Sequence, residues 1–183
     1  MDSWLTRANG FTALRLLAAP ALFGAIGAER PVLATLVFVL AVATDCADGW
    51  AARRYGEATP LGGIIDHAAD AIFVCTGAAA LSCAGVLPAL LPMLIAAAFL
   101  QYALDSRWLS ARNLRPSKLG RCNGIAYYVI VAVPIVRDAL GLGWPGADLV
   151  TLLAWVLVAS TLVSMADRLR WLFLARRARG LPV

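Results

Sequence analysis

Apolar residues run along this chain in six stretches, over residues 11–28, 31–50, 62–84, 86–104, 123–140 and 147–166. Each is close to the roughly 20 residues that a helix needs to cross a bilayer. Helix breakers and polar clusters fall at the joints: Glu29-Arg30-Pro31, Gly56 to Pro60, Gly85 to Pro88, Arg112 to Gly120, and Gly141 to Gly146. Pro88 and Pro92 blur the boundary between the third and fourth stretches. The pattern predicts an all-α integral membrane protein with six transmembrane helices. No repeat or low-complexity tract marks a second domain, so one membrane domain over residues 1–183 is expected.

Composition agrees: 61% of the residues are hydrophobic and the mean hydropathy is +0.77, which excludes an ordinary soluble domain. The first residues, Met1 to Arg7, are short and polar with no small-residue cleavage site, so no cleavable signal peptide is expected. Cys46, Cys75, Cys83 and Cys122 form no C-x-x-C pair and lie in or beside apolar runs, which predicts buried thiols rather than a zinc site. The net charge of +5 is no nucleic-acid signal, because the basic residues cluster between apolar segments.

Those clusters set an orientation. With the N-terminus in the cytoplasm, that side receives Arg7, Arg15, Arg53, Arg54, Arg107, Arg112, Arg115, Lys118, Arg121 and the tail arginines from Arg168 on. Only Arg30 and Arg137, of 16 basic residues, fall outside. The positive-inside rule then predicts both termini in the cytoplasm of an inner membrane.

The chemistry lies between Asp45 and Asp70. Four of the chain's eleven acids stand there as Asp45-x-x-Asp48-Gly49-x-x-Ala52-Arg53, then Gly62-x-x-x-Asp66-x-x-x-Asp70. On helices, Asp45 and Asp48 share one face and Asp66 and Asp70 another. The two helices are consecutive and antiparallel, so all four carboxylates can meet near the cytoplasmic surface. Each uncompensated carboxylate would cost roughly 3 kcal/mol at mid-membrane depth, and crowded carboxylates resist ionising together. One or two hard divalent cations resolve both problems, and oxygen-only ligands favour Mg²⁺, Mn²⁺ or Ca²⁺ over zinc. Gly49, Ala52 and Gly62 leave room against the backbone for a bulky group, and the Arg53 guanidinium suits phosphate oxygens.

This spacing, D-x₂-D-G-x₂-A-R-x₈-G-x₃-D-x₃-D, is the signature of the CDP-alcohol phosphotransferase family, and the chain resembles that family at every defined position. Asn9, Thr12 and Arg15, followed by Pro20, are similar to the N-x-x-T-x-x-R motif that opens the first span in many members. The resemblance implies an enzyme that moves a substituted phosphate from a CDP-linked donor to an acceptor hydroxyl and releases CMP. It implies two metal ions, Mg²⁺ or Mn²⁺, on Asp45, Asp48, Asp66 and Asp70, with Asp70 also the general base. Gly49, Arg53 and Thr59 would line the CDP site, with Asn9 and Thr12 reaching it. Family members tend to pair in the membrane, which implies a homodimer among membrane lipids.

The acceptor is less legible. Asp66-His67-x-x-Asp70 resembles the D-H-G-C-D of choline/ethanolaminephosphotransferases, which keeps a CDP-amino-alcohol donor and a lipid hydroxyl acceptor open beside CDP-diacylglycerol. Lys118 and Arg121, before the fifth span, are candidates to hold an acceptor phosphate, and His67 is a third acceptor candidate. A metal transporter or other non-enzymatic metal-binding membrane protein is the remote alternative, although a transporter would place its acids at mid-membrane on several helices.

Overall fold

The computed structural model describes the backbone of residues 7–55, 60–108 and 118–177, and the side chains of residues 12–47, 65–104 and 118–171. The described backbone forms six helices and no strand: α1 (Arg7–Gly27), α2 (Pro31–Tyr55), α3 (Pro60–Cys83), α4 (Leu90–Trp108), α5 (Lys118–Ala139) and α6 (Ala147–Arg177). Each expected stretch therefore has its helix. Several run past the apolar segment, because arginine and alanine continue a helix well after the hydrophobic run has ended. Two of them, over Lys118–Ala139 and Ala147–Trp171, are long and apolar enough to cross a membrane within the described residues.

The helices start and stop for local reasons. Pro31 and Pro60 open α2 and α3, where a missing N–H costs nothing. The ends of α1, α3 and α5 share one device, in which a residue of positive φ turns the chain and the next N–H reaches back five residues. The bonds are Arg30 to the Ala25 carbonyl, Val86 to Leu81 and Leu142 to Arg137, each 2.9 Å. Gly85 and Gly141 occupy the positive-φ position in two of the turns, but Glu29 does so in the first, at φ 54°. A side chain costs roughly 1 kcal/mol there. Glu29→Gly is therefore expected to raise the thermal unfolding midpoint in detergent, and Gly85→Ala to lower it.

Packing closes a ring. Around it, α1 touches α2, α2 touches α5, α5 touches α6, α6 touches α4, α4 touches α3, and α3 returns to α1. Across the ring α3 also touches α5. That cross-contact divides the interior into one compartment among α1, α2, α3 and α5, and another among α3, α4, α5 and α6. Gly77 makes the approach possible: a Cβ there would lie 2.9 Å from Val131 Cγ1 and 3.0 Å from Leu22 Cδ2. Both neighbours are fixed in the core, so Gly77→Ala is expected to cost roughly 1–3 kcal/mol, read as a lower unfolding midpoint.

Small residues line the helix seams, among them Ala19, Ala34, Ala69, Ala78 and Ala154, all nearly fully buried. Large apolar side chains such as Leu17, Leu36, Met93 and Ile125 face outward. Meanwhile Arg15 is 1% exposed. Polar groups inside and hydrocarbon outside is the arrangement of a protein whose solvent is lipid. The same logic corrects the expectation of buried thiols. Cys46, Cys83 and Cys122 are exposed, and only Cys75 is half-buried, its Sγ 3.3 Å from the Pro92 carbonyl. A thiol is apolar enough to face lipid, so an apolar neighbourhood in sequence does not require burial.

Candidate active site

Two helices, α2 and α3, bring the acids to one point, and an arginine from α1 stands behind them. Arg15 lies on α1 one turn after the buried Thr12. Its Nη2 donates to Asp45 Oδ1 at 2.7 Å, and its Nη1 lies 2.8 Å from Asp66 Oδ1 and 2.7 Å from Asp70 Oδ1. The carboxylates are 38%, 35% and 21% exposed against 1% for Arg15, so the guanidinium forms the floor and the acids the open face. A buried guanidinium with one carboxylate would struggle against its desolvation, whereas three partners make the position tenable.

The acids also fit a metal. One oxygen from each of Asp45, Asp66 and Asp70 can be chosen so that all lie within 4.8 Å of one another. Arg15 balances only one of the three, leaving a formal excess of two negative charges on an oxygen-only donor set. That is the demand a hard divalent cation meets.

Of these carboxylates, Asp70 has a second environment. Tyr128, on α5, donates from its hydroxyl to Asp70 Oδ1 at 3.0 Å. The bond lies on the α3–α5 contact, two turns along from Gly77. Phe38 meets the Tyr128 ring edge-on at 6.1 Å and the Phe73 ring at 5.7 Å, which fixes the tyrosine from the α2 side. Beyond this wall, among α3, α4, α5 and α6, lies a cavity of about 490 Å³. Asp70 is the one member of the triad that lines it.

The acceptor candidates separate. His67 lines the cavity, with its ring 5.2 Å from that of Tyr102 and 6.4 Å from that of Phe99. Arg121 also lines it, whereas Lys118 is exposed at the start of α5 and does not. Of the CDP candidates, Thr12 is buried on α1, one turn before Arg15. Asn9, Gly49, Ala52, Arg53 and Gly62, with the metal candidate Asp48, lie on α1, α2 and α3, but their side chains fall outside the described residues. Thr59 lies outside them altogether.

Two site residues escape a reading of the sequence. Arg15 counts there as a cytoplasmic anchor and as part of the first-span motif, yet it is buried among the acids. Its signal was available: an arginine well inside an apolar helix, one turn after Thr12, needs carboxylates to face. Tyr128 had no signal, because nothing along the chain says that α3 crosses to α5.

Comparison with known proteins gives the same direction. The CDP-alcohol phosphatidyltransferase family model matches residues 5–166. Over 146 residues the chain is 30% identical to an archaetidylinositol phosphate synthase of Aeropyrum pernix, covering 76% of this chain and 73% of that protein. Over 46 residues it is 44% identical to a CDP-diacylglycerol–glycerol-3-phosphate 3-phosphatidyltransferase of Blochmanniella floridana, covering 25% of this chain and 24% of that one. The chain belongs to the CDP-alcohol phosphatidyltransferase family, membrane-embedded transferases of substituted phosphate groups.

Proposed function

We propose that the protein synthesises a phospholipid, transferring the phosphatidyl group of CDP-diacylglycerol to an acceptor hydroxyl and releasing CMP. The observation that carries this is the position of Asp70, in the acid cluster on one side and on the cavity wall on the other. The donor would occupy the α1–α2–α3 side and the acceptor the α3–α6 cavity, so their reacting atoms meet at this carboxylate. Arg15 and Tyr128 both hold Asp70 Oδ1, which leaves Oδ2 to take the proton of the acceptor hydroxyl. The acceptor oxygen then bonds to the lipid-bearing phosphorus, and the bond from that phosphorus to the CMP oxygen breaks. Asp45, Asp48, Asp66 and Asp70 would hold the divalent ions, two Mg²⁺ or Mn²⁺ by resemblance, which when bound neutralise diphosphate charge.

Six membrane spans, both termini in the cytoplasm, and a site open to cytosolic nucleotide follow from the distribution of basic residues. A homodimer rests on the family resemblance. A CDP-amino-alcohol donor acting on a lipid hydroxyl is the second reading, favoured by the Asp66-His67-x-x-Asp70 pattern and by the place of His67 on the cavity wall.

The test is product identity. Purified protein in nanodiscs would receive CDP-diacylglycerol with each candidate alcohol, and separately CDP-choline with diacylglycerol. A new lipid containing the phosphatidyl group supports the proposal; product only from CDP-choline overturns the choice of donor.

A further inference from the structure

Resting on the reading of Asp70 as general base, the contacts of its carboxylate single out a second residue for the reaction. Arg15 cannot aim that carboxylate by itself, because its Nη1 is shared between Asp70 Oδ1 at 2.7 Å and Asp66 Oδ1 at 2.8 Å. The terminal torsion of an aspartate is soft and roughly two-fold, so a contact shared in this way lets the two oxygens exchange. Tyr128 has one hydroxyl proton, and it goes to Asp70 Oδ1 at 3.0 Å. That bond decides which oxygen is held and which is left to take a proton.

The aim of Tyr128 is fixed from several sides. α5 presents consecutive tyrosines to different neighbours: the Tyr127 hydroxyl pairs with that of Thr161 on α6 at 2.8 Å, while Tyr128 turns to α3. Successive side chains on a helix stand about 100° apart, so the two bonds together set the rotation of α5 about its axis. One turn on, the fully buried Val131 packs where a Cβ on Gly77 would lie 2.9 Å away, which keeps α5 close to α3. The Phe38 ring, from α2, lies edge-on to the Tyr128 ring at 6.1 Å. A tyrosine so constrained keeps its hydroxyl on one oxygen.

We propose that Tyr128 is the positioning residue of the general base, holding Asp70 Oδ1 so that Oδ2 faces the acceptor hydroxyl. It acts through Asp70 and takes no part in binding the donor or the metal. Misaiming a reacting group costs rate rather than affinity, so its loss falls on kcat. Tyr128→Phe removes only the hydroxyl and keeps the ring against Phe38, so the fold is retained.

The experiment uses the full chain in nanodiscs with CDP-diacylglycerol and Mg²⁺, and with glycerol phosphate, inositol phosphate or serine in turn as acceptor. With the acceptor that gives CMP fastest in the parent, Tyr128→Phe should lower kcat about tenfold or more, the worth of a hydrogen bond to a charged group. Both KM values should move less than about twofold. In an Asp70→Asn background the same substitution should change single-turnover CMP release by less than about twofold, because no base is left to aim. An unchanged kcat in Tyr128→Phe, a loss carried by KM, or a loss that persists undiminished beside Asp70→Asn would overturn the proposal. Normal turnover by Asp70→Asn alone would remove the base reading and the proposal with it. The tyrosine C–O stretch, in infrared difference spectra of tyrosine-labelled protein, gives a readout independent of turnover. The band that Tyr128→Phe removes should shift in Asp70→Asn, where a carboxylate acceptor becomes an amide. A band that stays in place would overturn the proposal, and this holds even if no acceptor releases CMP and the transferase reading fails separately.

Discussion

Replacing Asp70 by asparagine is expected to lower turnover by roughly a thousandfold or more while donor affinity changes little. General bases contribute about 10²–10⁴ in rate, and asparagine cannot accept the acceptor's proton. The substitution conserves shape and keeps an oxygen for Tyr128 and Arg15, whose contacts with Oδ1 are 3.0 and 2.7 Å. Loss of fold is therefore not the expected cause. Asp45→Asn and Asp66→Asn should behave differently, weakening metal and donor binding together, because neither lines the cavity. Single-turnover CMP release, measured beside CDP-diacylglycerol binding, separates the two patterns. Normal turnover by Asp70→Asn would remove the base from the scheme.

The second large effect concerns Arg15. Arg15→Ala takes the cation from beneath three carboxylates and leaves a void in a buried floor. Breaking a buried pair costs about 3–5 kcal/mol; because Asp45 and Asp66 are a little over one-third exposed and solvent screens them, roughly 2–3 kcal/mol is expected. Activity should fall at least a hundredfold, since the acids lose the fork that spaces them. Arg15→Lys keeps the charge but replaces a planar fork by a point charge, so partial recovery is expected. A divalent cation should stabilise Arg15→Ala more than the parent, because metal then supplies charge that the arginine had supplied. Thermal unfolding with Mg²⁺ or chelator reads this directly. Equal stability and activity in parent and Arg15→Ala would show that the guanidinium is dispensable.

How much the sequence discloses follows from which physical signals a membrane helix carries. Hydrophobic length marks α1 to α6, and the prolines and glycines mark their joints. Helical periodicity predicts that Asp45 and Asp48 share one face and Asp66 and Asp70 another. The structure brings Asp45, Asp66 and Asp70 together, with the Asp48 side chain outside the described residues. Partnership between helices is another matter. These helices are apolar nearly all round, so no polar stripe distinguishes the face toward lipid from the face toward a neighbour. The ring order, the α3–α5 crossing at Gly77, and hence Tyr128 beside Asp70 stay hidden for that reason. Arg15 was hidden differently: the positive-inside rule explains any arginine near a membrane face, and so explained this one too readily.

The central claim is that the acid cluster handles a CDP-linked donor with a divalent cation, and the most direct measurement is CMP released from CDP-diacylglycerol. Parent protein in nanodiscs would be assayed with acceptor, with Mg²⁺ or Mn²⁺, and after chelation. CMP that appears in step with lipid product, vanishes on chelation and returns with metal is the predicted result. CMP release indifferent to chelation, or CDP-diacylglycerol untouched by folded protein that binds neither metal nor nucleotide, would contradict it.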